Sequence, residues 1–408
     1  MLALCLILSA LPAAVLAANE FPVVPITQEE PTQPTQPAQP VCVHSWADGV
    51  CAKCGAVCAH NWVDHVCAVC RDEQTSITRL GATLNYENRI SVVTLFKLTG
   101  VDGVDLTKDA GVMVFTTAQY QSWDGKFNAS RARAGLKYDA AKDCYYAESA
   151  PILSDDLHLT AYYVGYVKQA DGSYLFTDAK SYGPTTYAYS MLDKSGDQKT
   201  KDLCVALLNY ITAVQKYRRP ATAAADLANA GLTEAQKTQT WTNPELATAP
   251  AVNAAVKGAR DKDVFTATGK NIWFSYNVSM SAVYKISDDI VQNAKEAGTV
   301  FWTAEQYAKL KEHPKTGGFG EGTVVGLSRQ TTGQWLSNSP EIAAKDIPET
   351  NIYYMGYLVM PDGTTKYTTV MSYNLEQYLG GKATNTNAFG NLCKALFFYE
   401  RAADALFG

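Results

Sequence analysis

Cys42, His44, Cys51 and Cys54 return sixteen positions later as Cys58, His60, Cys67 and Cys70. The framework between them repeats too: Trp46 maps to Trp62, Asp48 to Asp64 and Val50 to Val66. Each copy reads Cys-x-His-x-Trp, a short turn, then Cys-x-x-Cys. Thiol and imidazole donors in two close pairs are what a tetrahedral structural zinc site requires. A unit this short cannot enclose a hydrophobic core, so a bound ion has to supply its folding energy. Residues 42–72 are therefore expected to form two very small metal-clamped units, 42–55 and 58–72, with one Zn2+ each.

Disulfides are the competing use of these cysteines. The recurring histidines favour metal, because a disulfide needs no histidine. The Cys-x-x-Cys spacing matches zinc knuckles, and Gly55 after Cys54 eases a knuckle turn. The second copy departs slightly, with Arg71 in place of Gly55 and His65 in place of Gly49. His65 is set aside as a ligand because its counterpart is glycine. Four protein ligands per copy close the coordination shell, which points to structural rather than catalytic metal. Lys53 and Arg71 are the only basic residues in the segment, too few for fingers that grip phosphates. The whole chain carries a net charge of −5, which also argues against nucleic acid as partner. Trp46 and Trp62 are expected to pack over the ligands.

Residues 2–17 are almost wholly apolar and end in Val15-Leu16-Ala17, as at the end of a secretory signal. No Lys or Arg precedes Lys53, so the usual basic flank is missing. About 20 apolar residues are needed to span a bilayer, and this run is shorter and interrupted by Pro12. Residues 18–41 lack hydrophobic periodicity and place Pro31, Pro34, Pro37 and Pro40 at every third position, the composition of an extended spacer. A secreted or cell-surface protein with no transmembrane segment after signal removal is expected.

A longer duplication follows. Gly111-Val-Met-Val-Phe-Thr-Thr-Ala-Gln-Tyr120 matches Gly298-Thr-Val-Phe-Trp-Thr-Ala-Glu-Gln-Tyr307, and Tyr162-Tyr163-Val-Gly-Tyr166 matches Tyr353-Tyr354-Met-Gly-Tyr357. Asp171-Gly172 matches Asp362-Gly363, and Ser181-Tyr182 matches Ser372-Tyr373. Leu203-Cys204 with Tyr210 matches Leu392-Cys393 with Tyr399. Two homologous modules, 78–218 and 258–408, are expected on either side of an Ala/Thr/Pro-rich joint, 219–257, with a helical stretch near 223–237. In each, apolar alternation predicts strands, Thr-x-x-Gln predicts a capped helix start, and Asp-Gly predicts a hairpin. An amphipathic helix carrying the Leu-Cys motif closes each module. The expected fold class is α+β: two tandem modules of antiparallel sheet with a closing helix, preceded by the two zinc-ribbon-like repeats.

Catalytic signatures are absent from the sequence. His158 and His313 are the only histidines outside the repeats, and they are not equivalent between modules. Neither a nucleophile elbow, a phosphate loop nor a His-Glu-x-x-His motif occurs. Asp155-Asp156 and Asp288-Asp289 read as loop and helix-start residues. Cys144, Cys204 and Cys393 read as buried thiols. A non-catalytic protein that binds an extracellular protein or glycan is the leading expectation. The 24 tyrosines, with Trp123, Trp302 and Trp335, suggest the alternative of a glycan-binding protein or an accessory to a carbohydrate-active enzyme.

The tandem Cys-x-His-x-Trp…Cys-x-x-Cys units resemble small zinc-ribbon-like repeats of exported proteins of Gram-positive anaerobes. The modules, each ending in a Leu-Cys-x-Ala-Leu…Tyr helix, resemble an uncharacterised domain that recurs in such proteins beside adhesive or carbohydrate-active modules. The resemblance implies zinc ligation by Cys42, His44, Cys51, Cys54, Cys58, His60, Cys67 and Cys70, and implies no activity for the modules.

Overall fold

The computed structural model describes residues 45–407, apart from 48–49, 53–54, 60, 64–65, 71–74, 87–88, 102, 170, 221–225, 239, 241–245, 247 and 262–264. The expected signal and spacer, 1–17 and 18–41, lie outside the described residues. The repeats fold as two hairpins. In the first, β1 (Trp46–Ala47) pairs with β2 (Val50–Cys51); in the second, β3 (Trp62–Val63) pairs with β4 (Val66–Cys67). Register repeats with the sequence: Trp46 faces Cys51, and Trp62 faces Cys67. The closing bonds repeat as well, Ala52 N–H to Ser45 O and Ala68 N–H to Asn61 O, both 2.8 Å.

Module 1 comprises β5 (Ser76–Asn85), β6 (Ser91–Thr99), β7 (Ala110–Phe115), α1 (Thr117–Gln121), β8 (Ala132–Ala134), β9 (Lys137–Asp139), β10 (Cys144–Glu148), β11 (Ala161–Lys168), β12 (Tyr174–Phe176), β13 (Lys180–Tyr182), α2 (Pro184–Lys194) and α3 (Gln198–Arg218). The joint contributes α4 (Glu234–Lys237) and α5 (Ala254–Lys257). Module 2 comprises β14 (Thr266–Phe274), β15 (Val278–Lys285), α6 (Asp288–Asn293), β16 (Glu296–Thr303), α7 (Ala304–Ala308), α8 (Pro314–Gly317), β17 (Thr323–Gly326), β18 (Ser328–Arg329), β19 (Trp335–Asn338), β20 (Asn351–Val359), β21 (Thr365–Tyr367), β22 (Met371–Asn374), α9 (Leu375–Ala383) and α10 (Ala388–Phe407).

The duplication extends to topology. Module 1 stacks a sheet of order β5-β6-β10-β9 on one of order β12-β11-β7-β8, and module 2 repeats this as β14-β15-β19-β18 and β21-β20-β16-β17. A register shift interrupts β5–β6 between Arg79 and Gly81, and its counterpart interrupts β14–β15 between Ala267 and Gly269. Both predicted capping boxes form: Thr116 with Gln119, and Thr303 with Gln306. The predicted return strand after Asp171-Gly172 is split into β12 and β13. Between them Thr177 takes the Gly165 N–H on its hydroxyl at 2.9 Å, as Thr368 does for Gly356.

These two glycines let the sheets approach. A Cβ on Gly165 would stand 2.3 Å from the Phe96 ring, and one on Gly356 would stand 2.7 Å from Phe265 and Tyr284. Replacing Gly165 by alanine should cost about 1–3 kcal/mol through overpacking. Chemical denaturation measures it, and an unchanged midpoint would mean that Phe96 swings aside freely.

Helices α3 and α10 close the modules as expected, and they pack on each other. Tyr210 stacks on Tyr399 with centroids 5.4 Å apart and planes 1° from parallel. Equivalent residues meeting one another mark a self-complementary, isologous contact between the modules. One hydrophobic core runs through both, from Ile77 of β5 to Ala403 of α10. Ser154 N–H to Ser275 O at 2.8 Å and the Arg89–Glu341 ion pair at 2.8 Å bridge them further. In the joint, the helical stretch expected near 223–237 is confined to α4 among the described residues.

Candidate functional sites

The second repeat brings three of its four expected ligands together. The sulfurs of Cys58, Cys67 and Cys70 all lie within 4.8 Å of one another. Cys58 and Cys67 are buried, with their sulfurs 3.6 Å apart. That distance is far beyond the roughly 2.05 Å of a disulfide. It is close to the edge of about 3.8 Å expected for a tetrahedron with Zn–S bonds of about 2.3 Å. The hairpin supplies the geometry: β4 delivers Cys67, and the turn after it delivers Cys70. The backbone N–H groups of Val69 and Cys70 both point at Cys67 Sγ at 3.4 Å. The donor set therefore fits a soft or borderline divalent ion, and this cluster can hold one. The fourth expected ligand, His60, lies outside the described residues.

In the first repeat Cys51 is buried at the position equivalent to Cys67. Its N–H bonds Ala56 O at 2.9 Å and its carbonyl accepts from Gly55 at 2.8 Å. Gly55 adopts φ +70°, the left-handed turn that favours glycine after a knuckle. Trp46 is half-buried and faces Cys51 across the hairpin, so the two share a face. Cys42, His44 and Cys54 lie outside the described residues.

A second feature is an aromatic face that sequence reasoning did not single out. Strand β11 alternates Tyr163 and Val167 into the common core with Tyr162, Val164 and Tyr166 onto the opposite side. Met113 and Phe115 of β7 join that side, and α1 and the loop after it add Tyr120, Trp123 and Phe127. Tyr120 stacks on Tyr162 with centroids 4.2 Å apart, and Phe127 stacks on Tyr174 at 4.3 Å. Module 2 builds the same face from Trp302, Tyr307, Phe319, Tyr353 and Tyr357.

The two faces differ in cover. In module 2 residues 249–261, the end of the joint and the first residues of the module, lie along the β21–β22 edge. Ser372 Oγ donates to Pro250 O at 2.6 Å, Val370 N–H to Lys257 O at 3.0 Å, and Tyr367 N–H to the Asp261 carboxylate at 2.8 Å. Val256 is fully buried on the face, Val252 packs beside it, and the Tyr307 hydroxyl accepts the Asn253 N–H at 2.7 Å. Under this strap Tyr307, Tyr353, Tyr367 and Val370 keep 7%, 6%, 8% and 1% of their exposure. Their counterparts in module 1, Tyr120, Tyr162, Phe176 and Ala179, are each only half-buried. At the strap's place in the chain, module 1 has the second cysteine repeat. The duplicated Tyr162/Tyr353 motif was the available signal for the face; nothing in residues 249–261 announces a cover.

The remaining candidates have structural partners. Trp302 is buried and donates to Phe319 O at 2.9 Å, and Trp335 donates to Asp288 at 3.0 Å. Only Trp123 of the three tryptophans sits on the half-open face, donating to Lys126 O. Asp155 and Asp156 pair with Arg218 and Arg219 at 3.2 and 3.7 Å. Arg329 grips Asp288 with two nitrogens, holding its carboxyl below the usual carboxylate range. His313 caps the start of α8 by accepting Lys315 N–H on Nδ1 at 3.0 Å. His158 lies beside Arg219, and burial together with that guanidinium lowers its affinity for a proton. Cys204 and Cys393 are buried thiols, each pushed up to about 12 by burial, and behave as small hydrophobes. Comparison of the chain with models of known protein families gives no match, and neither does comparison with curated proteins. No helix among the described residues is long and apolar enough to cross a membrane.

Proposed function

We propose that the chain is a non-catalytic, exported or surface-associated binding protein in which module 1 supplies the recognition surface. The observation that carries this reading is the half-open aromatic face of Tyr120, Trp123, Tyr162 and Phe176, whose twin in module 2 is covered. Clustered half-exposed aromatics are the composition of interaction sites, since rigid rings offer large contact area at small entropic cost. The apolar stretch at 2–17 and the proline-spaced 18–41 support export and display. In this reading each cysteine repeat holds one structural zinc, the first through Cys42, His44, Cys51 and Cys54, the second through Cys58, His60, Cys67 and Cys70. The ion supplies folding energy to units with no core of their own. The resemblance to exported proteins of Gram-positive anaerobes fits the same picture.

Selection of a random 12-residue peptide display library on the purified zinc-loaded chain tests the proposal. Enriched peptides should lose at least tenfold in affinity on a folded Tyr162→Glu variant. An absence of binders that depend on this face overturns the reading, as does turnover of any compound by the modules. The glycan-binding alternative is favoured by Trp123 beside the stacked Tyr120–Tyr162 pair. Glycan-array binding lost in Tyr162→Glu, with no such peptide, would select it.

A further inference from the structure

We infer that the open face of module 1 receives a peptide that runs along the sheet edge through a single helical turn and presents two branched apolar side chains four positions apart, the chemistry of this chain's own residues 249–261, whose Val256 lies in α5. The inference rests on the binding role proposed above and names its partner class. Its basis is the internal twin: the same sheet, in the same register, already carries such a segment in module 2. Module 1 retains the groups that would hold it. Gln169 N–H to Ser173 O and Thr177 N–H to Gly165 O mark the bonded pairs of the β11–β12 ladder. Tyr166 and Phe176 then form a non-bonded pair, so the Phe176 N–H points to the free edge, as that of Tyr367 does toward Asp261. The Ala179 N–H stands where Val370 donates to Lys257 O, and the Ser181 hydroxyl stands where Ser372 donates to Pro250 O. Neither has a partner among the described residues. The half-buried Tyr120, Tyr162 and Phe176 supply the surface that Val252 and Val256 meet in the twin. Main-chain bonds along a sheet edge, with side-chain pockets for register, are shared with strand addition, although the twin's strap makes them on either side of a helical turn and not as a paired strand. A partner of this kind needs small residues beside its two anchors, because the strap does: Ala249, Pro250, Ala251, Ala254 and Ala255 flank its valines.

A fluorescent synthetic peptide of residues 249–261, titrated with the full zinc-loaded chain and followed by anisotropy, tests this. Saturable binding is expected, lost when the peptide carries Val252→Asp and Val256→Asp. Ala179→Pro removes the edge donor in module 1 and should weaken binding at least tenfold. Ser181→Ala, the milder change, should weaken it by roughly 2–5-fold with an unaltered melting temperature. Binding undiminished in both variants overturns the assignment to this edge. No binding of the peptide, while library peptides still depend on Tyr162, overturns the partner chemistry and leaves the recognition role intact. Loss of both overturns the two together.

Discussion

Chelating bound metal is expected to collapse both hairpins between residues 45 and 70, and replacing Cys67 by serine only the second of them, while the two modules stay folded. None of the hydrophobic clusters among the described residues contains a residue before Ile77. The hairpins have two-residue strands and no apolar cluster among the described residues, and the Cys58–Cys67–Cys70 cluster is the centre of the second. Structural zinc contributes on the order of 10–16 kcal/mol of apparent binding energy in small units of this kind, far more than two short hairpins can otherwise gather. Cys67 is the severest single loss, because it is buried and takes both the Val69 and Cys70 N–H groups. Elemental analysis should give two zinc atoms per chain and one in Cys67→Ser. Amide exchange in 61–70 should become fast in the variant, while α3 and α10 keep their protection. Because thiols must lose their protons to bind, acidification should release bound metal. Two zinc atoms retained in the variant, or sulfurs joined to each other in metal-free native material, would refute the metal-clamped account.

The second large effect concerns Glu400. It lies on α10, fully buried, with neither carboxyl oxygen hydrogen-bonded. Burial pushes its carboxyl far above the usual carboxylate range; the Glu376 carboxylate on α9 adds to the push, and Arg401, paired with Glu376, offsets part of it. The folded state therefore keeps the proton after the unfolded chain has lost it. Above the ordinary glutamate value of 4.5, the folded chain binds more protons than the unfolded one, so stability falls with rising pH. The loss is about 1.4 kcal/mol for each pH unit until the folded carboxyl itself ionises. Glu400→Gln, a neutral isostere of the protonated acid, should match the parent near pH 4.5 and surpass it increasingly toward neutrality. Urea denaturation at several pH values measures the divergence. Parallel curves for the two proteins would mean that Glu400 is solvated or paired in the folded state. The equivalent position in module 1 is Ile211, so the effect belongs to module 2 alone.

Local features were legible in the sequence. The Cys-x-x-Cys spacing sets which sulfurs a tight turn can bring together, and Cys67 and Cys70 do converge with Cys58. The Thr-x-x-Gln boxes, the Asp-Gly hairpins and the Leu-Cys helices form where their patterns lie. Less legible was what depends on distant partners. Helices α2 and α9 were not among the expected elements: α9 has a weak amphipathic pattern, whereas α2 has a clear one behind Pro184 at its first turn. The stacking of Tyr210 on Tyr399 could not be inferred from two copies of one helix, because either face might have met solvent. Which tryptophan reaches a surface was not legible: Trp302 is turned inward and Trp335 donates to Asp288, while Trp123 stays on the half-open face.

By itself the sequence determined the cysteine spacing, the two-module duplication and the antiparallel strand order within reach of each turn, because these arise from contacts a few residues apart. Only the tertiary structure decided that one aromatic face is covered and its twin left half-open. Residues 249–261 carry no periodic signal, and the bonds that seat them join positions 106 and 122 residues apart. Closing such loops is an outcome of the whole packed body, in which the edge of module 2 and the joint meet; no local pattern encodes it.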